Sequence, residues 1–200
     1  MENELLLFNK SALQGVLTDP LCADYKTRWR KCGTDKEKLV RMVMNQQALA
    51  FFHAHCFRGF GLSKEYILDS FADYINGKYT GTDVDGVEGG YKTQLYAGFG
   101  GDVSETLDVV SFQWCKITPF VVPQCKAIKM YVGCSSEVHL ECEGYNSIVV
   151  MLFDNSTVHL DDIDEDSTVV IYRYSQDANV EVGRFCLSDK VRIFDKTLRL

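Results

Sequence analysis

Two histidines recur 20 residues apart and are the first candidates for chemistry in this chain. His139 lies in the segment SSEVHL at 135–140, and His159 lies in the similar segment NSTVHL at 155–160. Glu181 follows at nearly the same interval. Imidazole nitrogens and a carboxylate at neighbouring positions are suitable ligands for a divalent metal. A ladder of solvated polar residues explains the same pattern, and we expect that ladder rather than a bound metal.

An acidic segment follows the second histidine directly and is another candidate site. Its five carboxylates are Asp161, Asp162, Asp164, Glu165 and Asp166. Several carboxylate oxygens in one loop can bind calcium. A hydrated acidic turn that repels other chains accounts for the same composition. We therefore expect no metal in this segment, and we assign it with His139 and His159 to an interaction surface.

Known catalytic patterns are missing from the sequence. His53 and Cys56 share a helix face, but a nucleophilic pair also needs a cleft and an orienting third group, so we interpret both as packing residues. The glycines match no phosphate-binding template, and no G-x-S-x-G segment is present. We predict a protein that is not an enzyme, with no catalytic residues and no cofactor.

The candidate residues lie within a repeat that must set their positions. Apolar residues separated by one residue recur about every ten positions between 107 and 194, in two alternating sets. The first set lies at 107–109, 128–130, 148–150, 169–171 and 191–193, and the second lies at 117–119, 138–140, 158–160 and 180–182. A period near 20 residues with two short strands per period predicts a β-solenoid of four to five coils.

An antiparallel β-sandwich is the alternative fold, because it also places strands about 8–12 residues apart. The added likeness between the two histidine segments at a separation of 20 residues favours the solenoid. The outer residues of each triplet should point into the core and the middle residue should point outward. We therefore expect Val158 and Leu160 to be buried and His159 to lie on the surface.

Two outward positions break the polar pattern. The middle residues of the first set are Asp108, Lys129, Val149, Val170 and Arg192. Strand positions that face solvent favour polar side chains. We therefore expect Val149 and Val170 to be covered, either by the chain's own helices or by another subunit. This pattern predicts a protein partner or a homo-oligomer.

Helical signals are confined to the first 80 residues. A capping box at 34–37 precedes an apolar periodicity that predicts a helix over about 35–57. Further start and stop signals predict helices over about 19–31 and 63–77.

Helices that precede strands, without alternation, predict an α+β chain. Residues 1–80 would form a helical region that caps or flanks the solenoid, and residues 91–200 would form the β-solenoid repeat domain. A cap is expected because an exposed end coil invites edge-to-edge aggregation.

The charge of the chain is unevenly distributed. The 200 residues carry a net charge of −7; residues 1–100 have 12 basic and 12 acidic side chains, and residues 101–200 have 9 and 16. This balance argues against nucleic-acid binding. The window 127–166 contains nine acids and one base. Such a window would suit an acidic decoy or inhibitor that binds a basic partner.

The sequence contains neither a secretory leader nor an apolar run long enough to cross a membrane. We therefore expect synthesis in the cytoplasm and no membrane partner. Eight cysteines are present without a C-x-x-C pair, and we expect them to be reduced thiols that fill the core.

The layout of the chain, with the segment YINGKYTG at 74–81 leading into a β-rich repeat, resembles uncharacterised small proteins encoded by phages and prophages of gut bacteria. The resemblance implies a structural or interaction role, in a phage virion or in its assembly. It also favours a trimer, because short β-solenoids in phage particles usually belong to trimeric fibres and spikes. A glycan-binding or glycan-cleaving solenoid module and the acidic decoy are the alternatives.

Overall fold

The structure is a computed structural model, and it describes residues 23–44, 49, 53, 63–82, 91–104, 107–184, 186 and 189–196. Within these ranges, three helices with described bounds precede twelve strands, and Leu49 and His53 are also helical. The helices are α1 (Ala23–Cys32), α2 (Lys36–Val43) and α3 (Lys64–Ser70). The beginning of the helix predicted over 19–31 lies outside the described residues. None of the described helices is long and apolar enough to cross a membrane.

The helix α2 begins one residue later and ends much earlier than the sequence predicts. Asp35 rather than Thr34 is its N-cap, and the Asp35 carboxylate accepts a hydrogen bond of 3.1 Å from the backbone N–H of Lys38. A carboxylate at this position also interacts favourably with the helix dipole. Met44 caps the C-terminal end. The helix predicted over 35–57 is therefore interrupted at Met44, although Leu49 and His53 beyond it are again helical.

The predicted start of α3 is confirmed. Ser63 is the N-cap, and its hydroxyl accepts a hydrogen bond of 3.1 Å from the backbone N–H of Tyr66. The helix ends at Ser70, before the predicted Gly77, and buried Phe71 is its C-cap. Phe71 belongs to a buried cluster that also contains residues of α1 and α2.

From β2 onward the strands alternate between two sheets. In chain order they are β1 (Gly81–Thr82), β2 (Lys92–Ala97), β3 (Gly100–Val103), β4 (Val109–Gln113), β5 (Lys116–Val122), β6 (Ala127–Gly133), β7 (Glu137–Cys142), β8 (Ser147–Leu152), β9 (Thr157–Ile163), β10 (Thr168–Arg173), β11 (Asn179–Val182) and β12 (Val191–Asp195). Sheet A has the order β1-β2-β4-β6-β8-β10-β12, and sheet B has the order β11-β9-β7-β5-β3.

This topology confirms a β-solenoid of about five coils. All pairs are parallel except β1 with β2, and each coil contributes one strand to each sheet. The pairing places Val138 beside Val158 and Val150 beside Ile171, so the 20-residue period of the sequence equals one coil. The alternative antiparallel sandwich is not supported, because consecutive strands of one sheet are connected through the other sheet.

The space between the sheets is the main core. Val158 and Leu160 are fully buried there, as are their equivalents Val138 and Leu140 in the preceding coil. The predicted inward orientation of these residues is confirmed. Each inward side chain stacks on its equivalent in the next coil, so apolar contact continues along the solenoid.

The predicted outward row of sheet A is wrong by one residue in its first coil. Val109, and not Asp108, pairs with Lys129. Asp108 precedes β4, and its carboxylate accepts a hydrogen bond of 2.7 Å from the backbone N–H of Lys92. The row therefore consists of Thr93, Val109, Lys129, Val149, Val170 and Arg192. Val109 is as apolar as the two central valines.

Buried serines at one corner explain the likeness between the two histidine segments. The Ser136 hydroxyl accepts a hydrogen bond of 3.1 Å from the backbone N–H of Cys115. The backbone N–H of Ser136 donates in turn to the Ser156 hydroxyl, also at 3.1 Å. Each serine thus satisfies a backbone group of the coil before it, which a buried turn requires.

The helical region covers part of the outer face of sheet A. Leu49 packs against Val109, Tyr131 and Phe153, and all four side chains are buried. A second cluster joins residues of α1 and α2 to Ala97 and Leu95 in β2. Six described cysteines are free thiols, and four of them are buried as expected: Cys32, Cys115, Cys134 and Cys142.

Candidate functional site

The outer face of sheet B carries the predicted histidine ladder. His139 and His159 are direct partners in the pairing of β7 with β9, and Glu181 of β11 pairs with His159. Their side chains are half-buried, with exposed fractions of 23% for His139 and 18% for His159. The predicted outward orientation of His159 is therefore confirmed. In-register parallel strands place equivalent residues about 4.8 Å apart, which allows the imidazole rings to stack.

The two imidazole rings stack almost face to face. Their centroids are 4.1 Å apart, and the ring planes are inclined by 5°. The ladder does not extend to the preceding coil, because the register between β5 and β7 shifts opposite His139. The histidine pair is therefore bounded on one side by this irregularity and on the other by Glu181.

A β-bulge places Asp161 beside the ladder. Leu160 pairs with Leu140 and Asp162 pairs with Glu141, so Asp161 is the extra residue of β9. An extra residue in a strand redirects the neighbouring side chains. The Asp161 carboxylate accepts a hydrogen bond of 2.7 Å from Nδ1 of His139. On the other ring, Nδ1 of His159 lies 3.1 Å from Oε2 of Glu181.

Glu137 approaches both histidines, and the sequence analysis did not identify it as a site residue. Its Oε1 is 3.4 Å from Nε2 of both His139 and His159, and its Oε2 is 3.4 Å from Nζ of Lys116. Glu137 precedes His139 by two residues, so both side chains leave the strand on the same face. That spacing was the signal available in the sequence.

The surroundings of Glu137 favour its ionised form. Partial burial alone would raise the pKa of its carboxyl. The hydrogen bond from His139 and the positive charge of Lys116 oppose this effect, as does the charge of His159. Together they hold the pKa of Glu137 below its ordinary value, so the carboxylate is charged at neutral pH.

The predicted acidic segment does not act as one unit. Asp161 belongs to the ladder, whereas Asp164, Glu165 and Asp166 lie in the turn after β9. The Asp164 carboxylate accepts a hydrogen bond of 2.9 Å from the backbone N–H of Asp166, which stabilises the turn. Among the described residues, the group of potential metal ligands that converges is Glu137, His139 and His159. The five acids of the segment do not form such a group.

His53 packs in the protein interior, as expected. It is fully buried between the rings of Tyr131 and Phe153, whose centroids lie 6.0 Å and 5.2 Å from its own. Its Nε2 is 2.8 Å from the hydroxyl of Ser111, which is also buried. A substrate cannot reach this pair without opening the contact between the helices and sheet A. Cys56 lies outside the described residues.

Val149 and Val170 are half-buried on the outer face of sheet A. They lie on the opposite side of the solenoid from the histidine ladder, because the inner faces of sheets A and B share the core and their outer faces point in opposite directions. The predicted interaction residues therefore belong to two separate surfaces. Val109, in the same row, is buried against Leu49.

Comparison of the chain with protein-family models, with curated proteins and with solved structures gives no match. The functional argument therefore depends on the geometry of the two outer faces.

Proposed function

We propose that this protein is a non-enzymatic interaction module that binds a basic partner protein through the outer face of sheet B. The observation that carries the proposal is the separation of charge between the two sheets. The strands of sheet B contain one basic residue, Lys116. Their acidic residues are Asp102, Glu137, Glu141, Asp161, Asp162 and Glu181.

Sheet A has the opposite balance. Its strands contain one acidic residue, Asp195. Their basic residues are Lys92, Lys129, Arg173 and Arg192. The helices pack against sheet A, so that face has an intramolecular partner. The acidic charge is thus concentrated on the face that the described helices leave open.

An open acidic sheet suits recognition of a protein surface better than catalysis on a small substrate. Complementary charge accelerates association and selects against acidic partners. Stable protein interfaces also need a broad contact area, and parallel strands of adjacent coils supply one without a cleft. A phage particle, as the sequence resemblance implies, would be one setting for such binding, and the identity of neighbouring genes tests that setting.

The interaction can be tested with a pair of matched variants. Glu141→Lys with Asp162→Lys reverses two charges on sheet B without altering the histidine ladder. Asp69→Lys with Asp73→Lys makes the same change in net charge at exposed positions in and after α3. Proteins captured from the native host are identified by mass spectrometry, and their binding is then measured with purified components.

We expect a partner with a basic surface that binds the wild type and the α3 variant but not the sheet B variant, with affinity that falls as salt is added. A partner that binds both variants equally would contradict the proposal. Binding to an array of glycans, in the absence of a protein partner, would instead favour the glycan-module alternative.

A further inference from the structure

The geometry points to a zinc-binding site on sheet B, formed by Glu137, His139 and His159. This inference goes beyond the proposed interaction and depends on different residues. The ligand atoms of the three side chains all lie within 4.8 Å of one another. The sequence alone suggested a solvated ladder at this position, because Glu137 and the orientation of the rings were not evident from it.

The donor set matches the chemistry of zinc. Two imidazole nitrogens and one carboxylate oxygen form a set that binds this borderline metal and leaves a fourth position for water. Nε2 of both histidines approaches the same oxygen of Glu137 at 3.4 Å. The three donors therefore converge on one point at the surface of the sheet.

The partners of the two Nδ1 atoms are the second, independent observation. Both ring nitrogens of His139 face a carboxylate, but Nδ1 lies 2.7 Å from Asp161 whereas Nε2 lies 3.4 Å from Glu137, so in the neutral ring the hydrogen is on Nδ1. The Glu181 carboxylate has the equivalent position beside His159, where it lies 3.1 Å from Nδ1. In each ring, Nε2 is thus the nitrogen left with a lone pair when the imidazole is neutral. Carboxylates that hold the far nitrogen in this way orient metal-binding histidines and increase their basicity.

Metal binding requires a small movement of the rings. With the rings parallel, the two Nε2 lone pairs point in the same direction. A zinc ion, however, needs both nitrogens at about 2.0–2.1 Å from itself. The rings must therefore tilt so that their Nε2 edges approach each other. Both rings lie on the outer face, above the buried residues Val138 and Val158, so the tilt does not disturb the core. The bound ion would connect β7 to β9 and so join two adjacent coils.

Zinc and cobalt titrations of untagged protein test the site. We expect one Zn²⁺ per chain by calorimetry. His139→Ala, His159→Ala and Glu137→Gln should each weaken binding by about tenfold or more. Glu141→Gln is the matched control, because it removes the same charge from the same sheet face but no proposed ligand.

Cobalt distinguishes this site from binding by thiols. Co²⁺ bound by nitrogen and oxygen gives visible d–d bands, whereas a thiolate ligand adds an intense near-ultraviolet band. The titration therefore uses a Cys125→Ser variant, which lacks this exposed thiol. Circular dichroism of each metal-free variant checks that the fold is retained.

The proposal is overturned by any of three results: no zinc binding to the folded wild type, equal binding by Glu137→Gln and Glu141→Gln, or a thiolate band that accounts for the bound metal. The partner experiment uses changes at Glu141 and Asp162 instead. Either proposal can therefore fail while the other stands.

Discussion

Nε2 of His53 lies 2.8 Å from the hydroxyl of Ser111, and this buried pair joins the helical region to the outer face of sheet A. Nδ1 of His53 is also buried and has no hydrogen-bond partner among the described residues. A proton on that nitrogen would therefore lie in an apolar environment without a compensating acceptor.

The first prediction is that burial of His53 makes the protein sensitive to mild acid. Burial lowers the pKa of His53 to about 3, whereas a histidine in the unfolded chain titrates near pH 6.5. The unfolded state then binds one more proton between those two values, so stability is highest above about pH 6.5 and decreases as the pH falls toward 3. From pH 7 to pH 5 the loss due to this residue should be about 2 kcal/mol.

Urea unfolding at several pH values measures this effect. His53→Gln retains a polar group near Ser111 but cannot be protonated, so its stability should depend less on pH than that of the wild type. The other titrating groups are common to both proteins and cancel in the difference. Equal pH dependence of the two proteins would show that His53 is accessible to protons in the folded state.

The second prediction concerns the orientation of β9. Val158→Asp places an unpaired carboxylate in the core and should cost about 3 kcal/mol or more. His159→Ala alters the outer face of the same strand and should cost about 1 kcal/mol or less in metal-free buffer. Thermal melts of both variants provide the comparison. A larger loss for the histidine variant would mean that the strand faces the opposite way.

The third prediction concerns the corner that precedes β9. The carboxylate of Asp154 accepts hydrogen bonds from the backbone N–H groups of Cys134 and Ser135 and from the hydroxyl of Ser156. Its backbone is left-handed, with φ of 47°, a conformation that asparagine tolerates better than alanine. Asp154→Ala leaves these donors unsatisfied and should cost about 2–4 kcal/mol.

Asp154→Asn is the matched variant for this corner, since it retains one acceptor oxygen and the preference for a left-handed backbone. Its cost should be about half that of the alanine variant or less. Chemical denaturation of both variants measures their losses of stability relative to the wild type. Equal losses would indicate that the negative charge, rather than the acceptors and the backbone, stabilises the turn.

The fourth prediction is that the protein associates with itself through sheet A, as a trimer according to the sequence resemblance. Val149→Lys with Val170→Glu keeps the net charge constant and should yield a folded monomer. Light scattering after gel filtration measures the mass, and circular dichroism checks the fold. Thr157→Lys on sheet B is the control that should leave the mass unchanged.

Two results would contradict the self-association. A monomeric wild type would exclude it directly. Unfolding of the double variant would show that Val149 and Val170 contact other parts of the same chain, so that no second subunit is needed to cover them.

The sequence by itself determined the solenoid and the orientation of its strands. Alternation of apolar residues assigns each side chain to one face, and repetition at one period brings equivalent residues such as His139 and His159 together. Both features are local or periodic, so they can be recognised before the chain folds. The same applies to Ser63, whose capping role depends only on residues that follow it in the helix.

The tertiary structure decided the features that depend on contacts between coils or between the helices and the sheet. Two apolar residues, Leu107 and Val109, flank Asp108, and only the pairing with Lys129 shows which of the three belongs to the outward row. Likewise, the bulge that directs Asp161 toward His139 arises from a register shift between β7 and β9. The candidate site required both kinds of information, because periodicity aligns the histidines while strand pairing places Glu137, Asp161 and Glu181 around them.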